Sequence, residues 1–260
     1  MSDPIRVRRF DGVTHLELHR PWRRNTIDLG LAREMLRVAL DPATRSSSAL
    51  LLTGAGEHFC AGGDLKSFQV QRALPEHLLA VTADLHTAML RLRELDAPLV
   101  VAARGNVAGA GLGLACFGDV LLTTPESTFR SGYTALGLTP DAGTSHAVTR
   151  LIGPRRAERL LLLGEVVSGR LALDWGLCTA LVTDADLDRH AVEVARTLAA
   201  NPPFAVGETR RLIGAAATRS LAEHLDDEAR TLARAAGRPA AAAQVAAFGA
   251  RRRQPQATGP

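Results

Sequence analysis

The stretch Asn106-Val107-Ala108-Gly109-Ala110-Gly111-Leu112-Gly113-Leu114-Ala115 decides the fold of this 260-residue chain. Its first residues read as a strand and its last as a helix whose first turn contains only Gly and Ala. Small residues let a ligand approach the backbone, and a helix start presents N–H groups without intrahelical acceptors. Leu114 lies where a dinucleotide-binding motif has its third glycine, and no Gly-Lys-Ser/Thr of a P-loop follows. The stretch therefore predicts a different kind of ligand site at a helix start.

A second glycine-rich stretch, Phe59-Cys60-Ala61-Gly62-Gly63-Asp64-Leu65-Lys66, precedes the first. Its paired glycines lie where a predicted strand turns into a predicted helix. Such a turn can leave backbone N–H groups unpaired and directed into a cleft. An ordinary strand-to-helix turn has the same composition, so this stretch alone does not distinguish a ligand site from a simple turn.

Buried strands and amphipathic helices alternate around these two stretches. Short apolar runs predict the strands, and apolar residues at helical spacing predict the helices. The alternation favours an α/β core with parallel strands. In chain order we expect a strand around Leu16–Leu18, a helix capped by Asn25 and ending near Leu40, strands at 49–53, 99–103 and 120–124, and a long helix over 76–95.

Helical patterns follow one another after about residue 154, and only 178–182 reads as a strand there. We expect a core over residues 1–195, a helical C-terminal region over 196–250 and a disordered tail over 251–260, which lacks apolar content. The predicted helices of this part cover 155–163, 169–176, 187–200, 203–217 and 221–236.

Composition excludes several classes of function. The formal charge is +4, but the basic residues are scattered without interleaved aromatic residues, which argues against nucleic-acid binding. No apolar run reaches the roughly 18 residues of a membrane span, and the N-terminal sequence has no signal-peptide pattern. Three cysteines without metal spacing predict neither disulfides nor a metal site. We therefore expect a cytoplasmic protein.

Together, the two glycine-rich stretches resemble the paired oxyanion-hole motifs of the enoyl-CoA hydratase/isomerase (crotonase) family. The resemblance implies the crotonase (ClpP-like) fold, with repeated ββα units in a spiral core and a helical C-terminal region. It implies that the N–H groups of Gly63 and Ala110 bind a thioester oxygen and that the region of Ala61 meets adenine. Coenzyme A would be part of the substrate, and no separate cofactor is expected. The resemblance also implies a homotrimer or hexamer, formed through residues 196–250.

Hydratases of this family use two glutamates, and this sequence has Gly113 and Tyr133 at the corresponding positions. Glycine transfers no proton, and a phenol with an unperturbed pKa of about 10 is a poor base at neutral pH. Simple hydration is therefore disfavoured. The remaining carboxylate is Asp141, in Thr139-Pro140-Asp141-Ala142-Gly143. It resembles the aspartate of the ring-enlarging epoxide isomerase of phenylacetyl-CoA degradation.

Asp141 as the acid/base of an enoyl-CoA double-bond or ring isomerisation is the interpretation we favour. One alternative is a hydratase-like or aromatic acyl-CoA hydrolase or dehalogenase reaction, with Asp141 as nucleophile and His86 activating water. Another is a non-catalytic acyl-CoA-binding subunit. An aspartate after Pro140 also fits a turn or a helix cap, and His86 fits a surface or pocket-lining residue.

The other candidate residues surround the first glycine-rich stretch. Lys66, the single lysine of the chain, fits contact with a CoA phosphate or a role at its helix end. Asp64 is a candidate for substrate binding. The alternative is that its side chain fixes the turn by accepting hydrogen bonds from nearby N–H groups. Tyr133 is a further substrate-binding candidate. Apolar residues between 66 and 90 predict an apolar pocket for the acyl group.

Overall fold

The computed structural model describes residues 3–253, with side chains described up to residue 248. Strands and helices alternate through the first two thirds of these residues, and helices follow afterwards. The strands are β1 Ile5–Phe10, β2 Val13–Leu18, β3 Ala49–Gly54, β4 Leu99–Ala103, β5 Asn106–Ala108, β6 Val120–Thr123, β7 Thr128–Arg130, β8 Val167–Ser168 and β9 Ala180–Leu181. The helices are α1 Leu29–Leu40, α2 Pro42–Arg45, α3 Leu65–Gln69, α4 Leu74–Arg93, α5 Ala110–Phe117, α6 Thr144–Leu161, α7 Gly169–Trp175, α8 Leu187–Ala199, α9 Pro203–Ala215, α10 Leu221–Ala236 and α11 Pro239–Arg253.

Six strands form the main sheet in the order β1-β2-β3-β4-β6-β9. Only the first pair is antiparallel, and the remaining neighbours are parallel. Side chains of β3 alternate between two apolar layers: Leu50 and Leu52 face one, and Leu51 faces the other with Ala191 of α8. A strand covered on both faces must be apolar at every position, which explains the continuous apolar run of β3.

A smaller sheet carries both glycine-rich stretches. Its strands run in the order β5-β7-β8. Isolated parallel bridges extend it, because Cys60 pairs with Val107 and Ile27 pairs with Gly63. The segments around Ile27, Gly63 and Val107 therefore lie side by side, although more than 75 residues separate the first from the last. This arrangement brings the ends of both stretches to one edge of the fold.

Helix α4 packs along α1. Its inward face consists of apolar residues that are fully or almost fully buried, at the spacing of an amphipathic helix. The face comprises Val81, Leu85, Ala88, Met89 and Leu92. Residues on the adjoining side of α4, including His86, are thus held by a helix anchored in the core.

The predicted cap at Asn25 is wrong. Helix α1 begins at Leu29, and its N-cap is Asp28, whose side chain accepts from the N–H of Leu31 at 2.9 Å. Asn25 is fully buried with φ +54°, and its amide nitrogen donates to the carbonyl of His58 at 2.8 Å. Its side chain therefore ties the loop before α1 to the end of β3, a long-range contact that local capping rules do not include.

Two predictions for the later part of the chain also need correction. Helix α6 begins at Thr144, eleven residues before the predicted helix, and it is kinked where Gly153 has φ 76° and ψ 163° before Pro154. That Gly-Pro pair interrupts the helical pattern in the sequence. Strand β8 was missed because it has only two residues, which pair with β7.

The chain divides into two compact units, residues 1–200 and residues from 201 onward. The expected boundary was at 195. Within the second unit, α10 begins with a capping box in which Ser220 and Glu223 bond each other's backbone N–H groups. Helix α11 continues to Arg253, so residues 251–253 are helical where a disordered tail was expected. The rest of that predicted tail, 254–260, lies outside the described residues.

Within residues 3–253, no helix is long and apolar enough to cross a membrane.

Candidate active site

The N–H of Gly63 is freed by the pairing of its neighbours. Ile27 donates to the carbonyl of Gly62 and accepts from the N–H of Asp64, both at 2.8 Å. Gly63 lies between these two bonded residues. In a parallel bridge of this kind, the N–H of the middle residue points away from the strand to which its neighbours bond. Among the described residues, no acceptor lies within hydrogen-bond distance of this N–H.

The N–H of Ala110 is freed by a helix start. Ala110 is the first residue of α5, so its N–H has no intrahelical acceptor. Gly109, at the N-cap with φ +52°, has no side chain to cap it. A Cβ built on Gly109 would lie 3.5 Å from the Cα of Gly62, so the two backbone segments touch. Neither N–H group has an acceptor among the described residues, and Gly63 and Ala110 directly follow the two glycines that are in contact.

A cavity of about 650 Å³ lies where these two segments meet. Of the predicted site residues, Ala61, Gly63, Ala110, Tyr133 and Asp141 line it. Among the described residues, Asp141 is the one acidic residue in this lining, which is otherwise largely apolar. The apolar side chains are contributed by α3, α4 and the segment before Asp141: Leu65, Phe68, Leu78, Leu79, Val81, Leu136 and Leu138.

Asp141 is held by Tyr133. The phenol of Tyr133 donates to Oδ1 of Asp141 and lies 3.5 Å from the hydroxyl of Thr144. Burial, and then the negative charge of Asp141, raise the pKa of Tyr133 far above its ordinary value. The phenol therefore remains a donor at any physiological pH. Oδ2 of Asp141 has no hydrogen-bond partner among the described residues, so one carboxylate oxygen is fixed and the other remains available.

Asp141 begins a tight turn that leads into α6. The N–H of Thr144 donates to the carbonyl of Asp141 at 2.9 Å, and Ala142 and Gly143 both have positive φ, 48° and 67°. The N–H of Ala142 donates to Nε2 of His86 at 3.0 Å. His86, half-buried on α4, does not line the cavity. The structure thus brings His86 to the backbone beside Asp141.

Gly113 has no room for a side chain. A Cβ at this position would lie 2.5 Å from the carbonyl oxygen of Ala142 and 2.6 Å from the hydroxyl of Thr144. Real Cβ atoms do not approach other atoms this closely. The position where family hydratases have a glutamate is therefore packed against the turn that carries Asp141.

Asp64 and Lys66 lie outside the cavity lining. Asp64 is buried, accepts from the N–H of Ser67 at 3.2 Å and pairs with Arg23 at 2.9 Å, so it caps α3. Lys66 is exposed in α3. Cys60 lies beneath the first stretch, and burial raises the pKa of its thiol to about 12, which leaves it unreactive.

Two arginines that the sequence did not single out also line the cavity. Arg24 and Arg130 are exposed, and neither has a carboxylate within ion-pair distance among the described residues. The carbonyl of Arg24 accepts from Ala61 at 3.0 Å, and that of Arg130 from Gly109 at 3.1 Å. The backbone of each arginine is therefore hydrogen-bonded directly to one of the two glycine-rich stretches. One sequence signal could have pointed to Arg130. It is the last residue of β7 and follows the buried Phe129, so its side chain is on the exposed face of the strand.

No group of three His, Cys, Asp or Glu side chains in the described part of the chain is arranged to hold a metal ion.

Comparison with known proteins identifies the family. A family described as enoyl-CoA hydratase/isomerase matches residues 8–256. The chain belongs to the enoyl-CoA hydratase/isomerase family. The predicted membership and the crotonase fold are thereby confirmed. Gly63 and Ala110 both line the cavity, and their N–H groups have no acceptor among the described residues; that they bind a thioester oxygen stays a prediction.

Individual relatives differ in the reaction that their names describe. The 1,2-epoxyphenylacetyl-CoA isomerase of Escherichia coli (strain K12) is 37% identical over 255 residues, which are 95% of each chain. A 4-chlorobenzoyl coenzyme A dehalogenase of an Arthrobacter species is 28% identical over 94% of this chain and 90% of its own. A Thermobifida fusca protein described as an enoyl-CoA hydratase, solved with acetoacetyl-CoA, superposes with a TM-score of 0.83 at 28% identity over 90% of this chain and 95% of that one. Membership of the enoyl-CoA hydratase/isomerase family therefore leaves several reactions open.

Proposed function

We propose that this protein isomerises an enoyl-CoA, moving a double bond or rearranging a ring next to the thioester. One observation supports this above the others: of the described residues, Asp141 is the single acidic one that lines the cavity, and Gly63 and Ala110, whose N–H groups have no acceptor there, line it too. One carboxylate beside an oxyanion hole is sufficient to move a proton between two carbons. Hydration by the family pattern uses two.

In the proposed reaction, Oδ2 of Asp141 removes a proton from a carbon α or γ to the thioester carbonyl. The electron pair of the broken C–H bond moves to the carbonyl oxygen, which accepts from Gly63 and Ala110. Removing one such donor typically costs about 3–4 kcal/mol of transition-state stabilisation. Protonated Asp141 then returns the proton to a different carbon as the enolate collapses. No atom is gained or lost, as an isomerisation requires.

Tyr133 restricts how Asp141 works in this scheme. Its phenol occupies Oδ1, which directs Oδ2 towards the substrate and limits rotation of the carboxylate. Because burial and the charge of Asp141 raise the pKa of Tyr133, the phenol does not itself act as a base. Its role is therefore to orient, and the proton transfer belongs to Asp141.

The lining of the cavity fits an acyl-CoA. The apolar side chains of α3 and α4 suit an alkyl chain or a ring, and the cations Arg24 and Arg130 suit an anionic ligand such as coenzyme A. We expect Ala61 near the adenine, as the family resemblance implies. Lys66, beside the first oxyanion motif, remains a candidate for contact with a CoA phosphate. The Thermobifida fusca relative, solved with acetoacetyl-CoA, supports a ligand of this class.

The decisive experiment is mass spectrometry of enoyl-CoA thioesters incubated with the enzyme in heavy water. Isomerisation exchanges carbon-bound hydrogen for deuterium without adding the mass of water, whereas hydration adds a water molecule. Asp141→Asn should lower kcat by at least about 100-fold, the usual share of a general acid/base, and leave acyl-CoA affinity nearly unchanged. Asp174→Asn, at an exposed aspartate of α7 outside the cavity lining, is the control. Full activity of the Asp141 variant would refute the proposal.

A second candidate rests on the similarity to the dehalogenase. There, Asp141 would attack a ring carbon of an aromatic acyl-CoA, the halide would leave with its bonding electrons, and water would hydrolyse the ester. Chloride release from 4-chlorobenzoyl-CoA and an ester trapped on Asp141 would identify this reaction. Binding without turnover across a broad panel of acyl-CoA thioesters would instead identify a non-catalytic binding subunit.

For the assembly we propose a homotrimer or hexamer, with residues 196–250 contributing the contacts. Light scattering of the full chain after size exclusion measures this directly, and a monomer at micromolar concentration would contradict it.

A further inference from the structure

His86 contacts the turn that carries Asp141 through the backbone. Its Nε2 accepts from the N–H of Ala142 at 3.0 Å. We propose that His86 is a positioning residue, which holds this turn in the conformation that presents Asp141 to the cavity. The proposal rests on the proposed function, because it assigns His86 a purpose through the carboxylate of Asp141.

The turn has a conformation that requires support. Ala142 has φ +48°, in the left-handed region that residues with a Cβ adopt reluctantly, and Gly143 follows at φ +67°. Ala142 is also almost fully buried, at 1% exposure. If His86 did not accept from it, the N–H of Ala142 would be a buried donor without a partner, and the turn could relax to remove that cost.

The two sides of the turn are fixed by different elements. On one side Ala142 and Thr144 pack against Gly113 of α5, where no Cβ fits. On the other side His86 extends from α4, a helix anchored by its buried face. The bond from Ala142 to His86 therefore links the turn to a second element of the fold, helix α4. Tyr133 holds the carboxylate of Asp141, and His86 holds the backbone beneath it.

This bond also determines what His86 can do. Because the backbone N–H of Ala142 is a donor, Nε2 must carry a lone pair, and the ring proton of a neutral His86 belongs on Nδ1. The nitrogen engaged by Ala142 is not available to activate water. The role proposed here is thus separate from direct proton transfer and makes different predictions.

The test compares acceptors at position 86 in the full-length enzyme. His86→Gln places an amide oxygen near the position of Nε2, whereas His86→Leu has no acceptor and His86→Asn is too short. We expect His86→Gln to retain most of kcat. We expect His86→Leu and His86→Asn to lower kcat about tenfold or more, with KM and affinity for coenzyme A unchanged. The polar Asn variant keeps the test valid if the Leu variant does not fold.

Two results would overturn the positioning role. Full activity of His86→Leu would show that the bond is unimportant. Equal losses in His86→Gln and His86→Leu would show that the imidazole itself takes part. The Asp141→Asn variant distinguishes failure of the positioning role of His86 from failure of the proposed function. If that variant is inactive while His86→Leu is fully active, only the positioning role fails. If it is active, the proposed function fails.

Discussion

Tyr133 donates a hydrogen bond to Oδ1 of Asp141, across eight residues of chain and at the wall of the cavity. The family resemblance implies that Tyr133 corresponds to one hydratase glutamate. We therefore expect Tyr133 to orient the carboxylate of Asp141 rather than to act as a second acid or base.

Removing the phenol should therefore reduce turnover rather than binding. Tyr133→Phe keeps the ring in its buried place but leaves Oδ1 of Asp141 without its donor. We expect kcat to fall about tenfold, the order of one lost charge-assisted hydrogen bond, with KM little changed. Steady-state kinetics on the best enoyl-CoA substrate measure both. An unchanged kcat would mean that the contact does not orient Asp141.

Restoring a side chain at Gly113 should damage the protein instead of creating a hydratase. Even Gly113→Ala forces a Cβ against the carbonyl of Ala142 and the hydroxyl of Thr144. Such overpacking costs about 1–3 kcal/mol, and thermal unfolding should register it as a lower Tm. Gly30→Ala, at an exposed glycine of α1 whose nearest neighbour is 3.4 Å from the built Cβ, is the matched control. A stable Gly113→Ala variant would contradict the packing argument.

The arginines at the cavity should matter for anionic ligands. Arg24→Gln and Arg130→Gln should each weaken binding of coenzyme A about three- to tenfold and make it less sensitive to salt, since exposed charges are screened by ions. Calorimetry at two salt concentrations measures both effects.

Arg45→Gln, at an exposed arginine of α2 outside the cavity lining, should change neither quantity. Lys66→Gln tests the remaining predicted phosphate contact. Equal affinities for Arg24→Gln, Arg130→Gln and wild type would remove these two cations from the ligand site.

His15 should make the protein sensitive to mild acid. It is buried beside Thr53, with its Nε2 2.8 Å from the hydroxyl, and burial followed by the charge of Arg8 lowers its pKa from 6.5 to about 4. Between these values the unfolded chain binds a proton that the folded chain does not, so stability falls as pH decreases from 6.5 towards 4. The expected loss between pH 7 and pH 5 is about 2 kcal/mol.

Urea unfolding at the two pH values measures this loss, with His15→Gln as the comparison. Glutamine has no proton to gain in this range, so its stability should change by about 2 kcal/mol less than that of wild type. Parallel losses in both proteins would assign the acid sensitivity to other groups.

Residue order alone was enough to predict much of the core and the two segments whose N–H groups are unpaired. Apolar runs at 49–53 and 99–103 predicted buried parallel strands, and helix α10 has the predicted bounds, because burial on both faces and local capping leave direct marks on residue order. The two glycine-rich stretches likewise predicted where N–H groups would be free. Small residues at a strand end and a helix start have this effect through local geometry alone.

The surroundings of Asp141 depend on tertiary contacts that residue order does not show. Tyr133 reaches Asp141 because the chain between them folds back through a turn. Ala142 bonds to His86, which lies 56 residues earlier in the sequence. The exclusion of a side chain at Gly113 depends on that same turn. Residue spacing cannot reveal such contacts, because they depend on how α4, α5 and the start of α6 pack together. The wrong prediction of the α1 cap has the same cause. Asn25 has the local preference for an N-cap, but its side chain bonds to the distant carbonyl of His58, and Asp28 caps the helix.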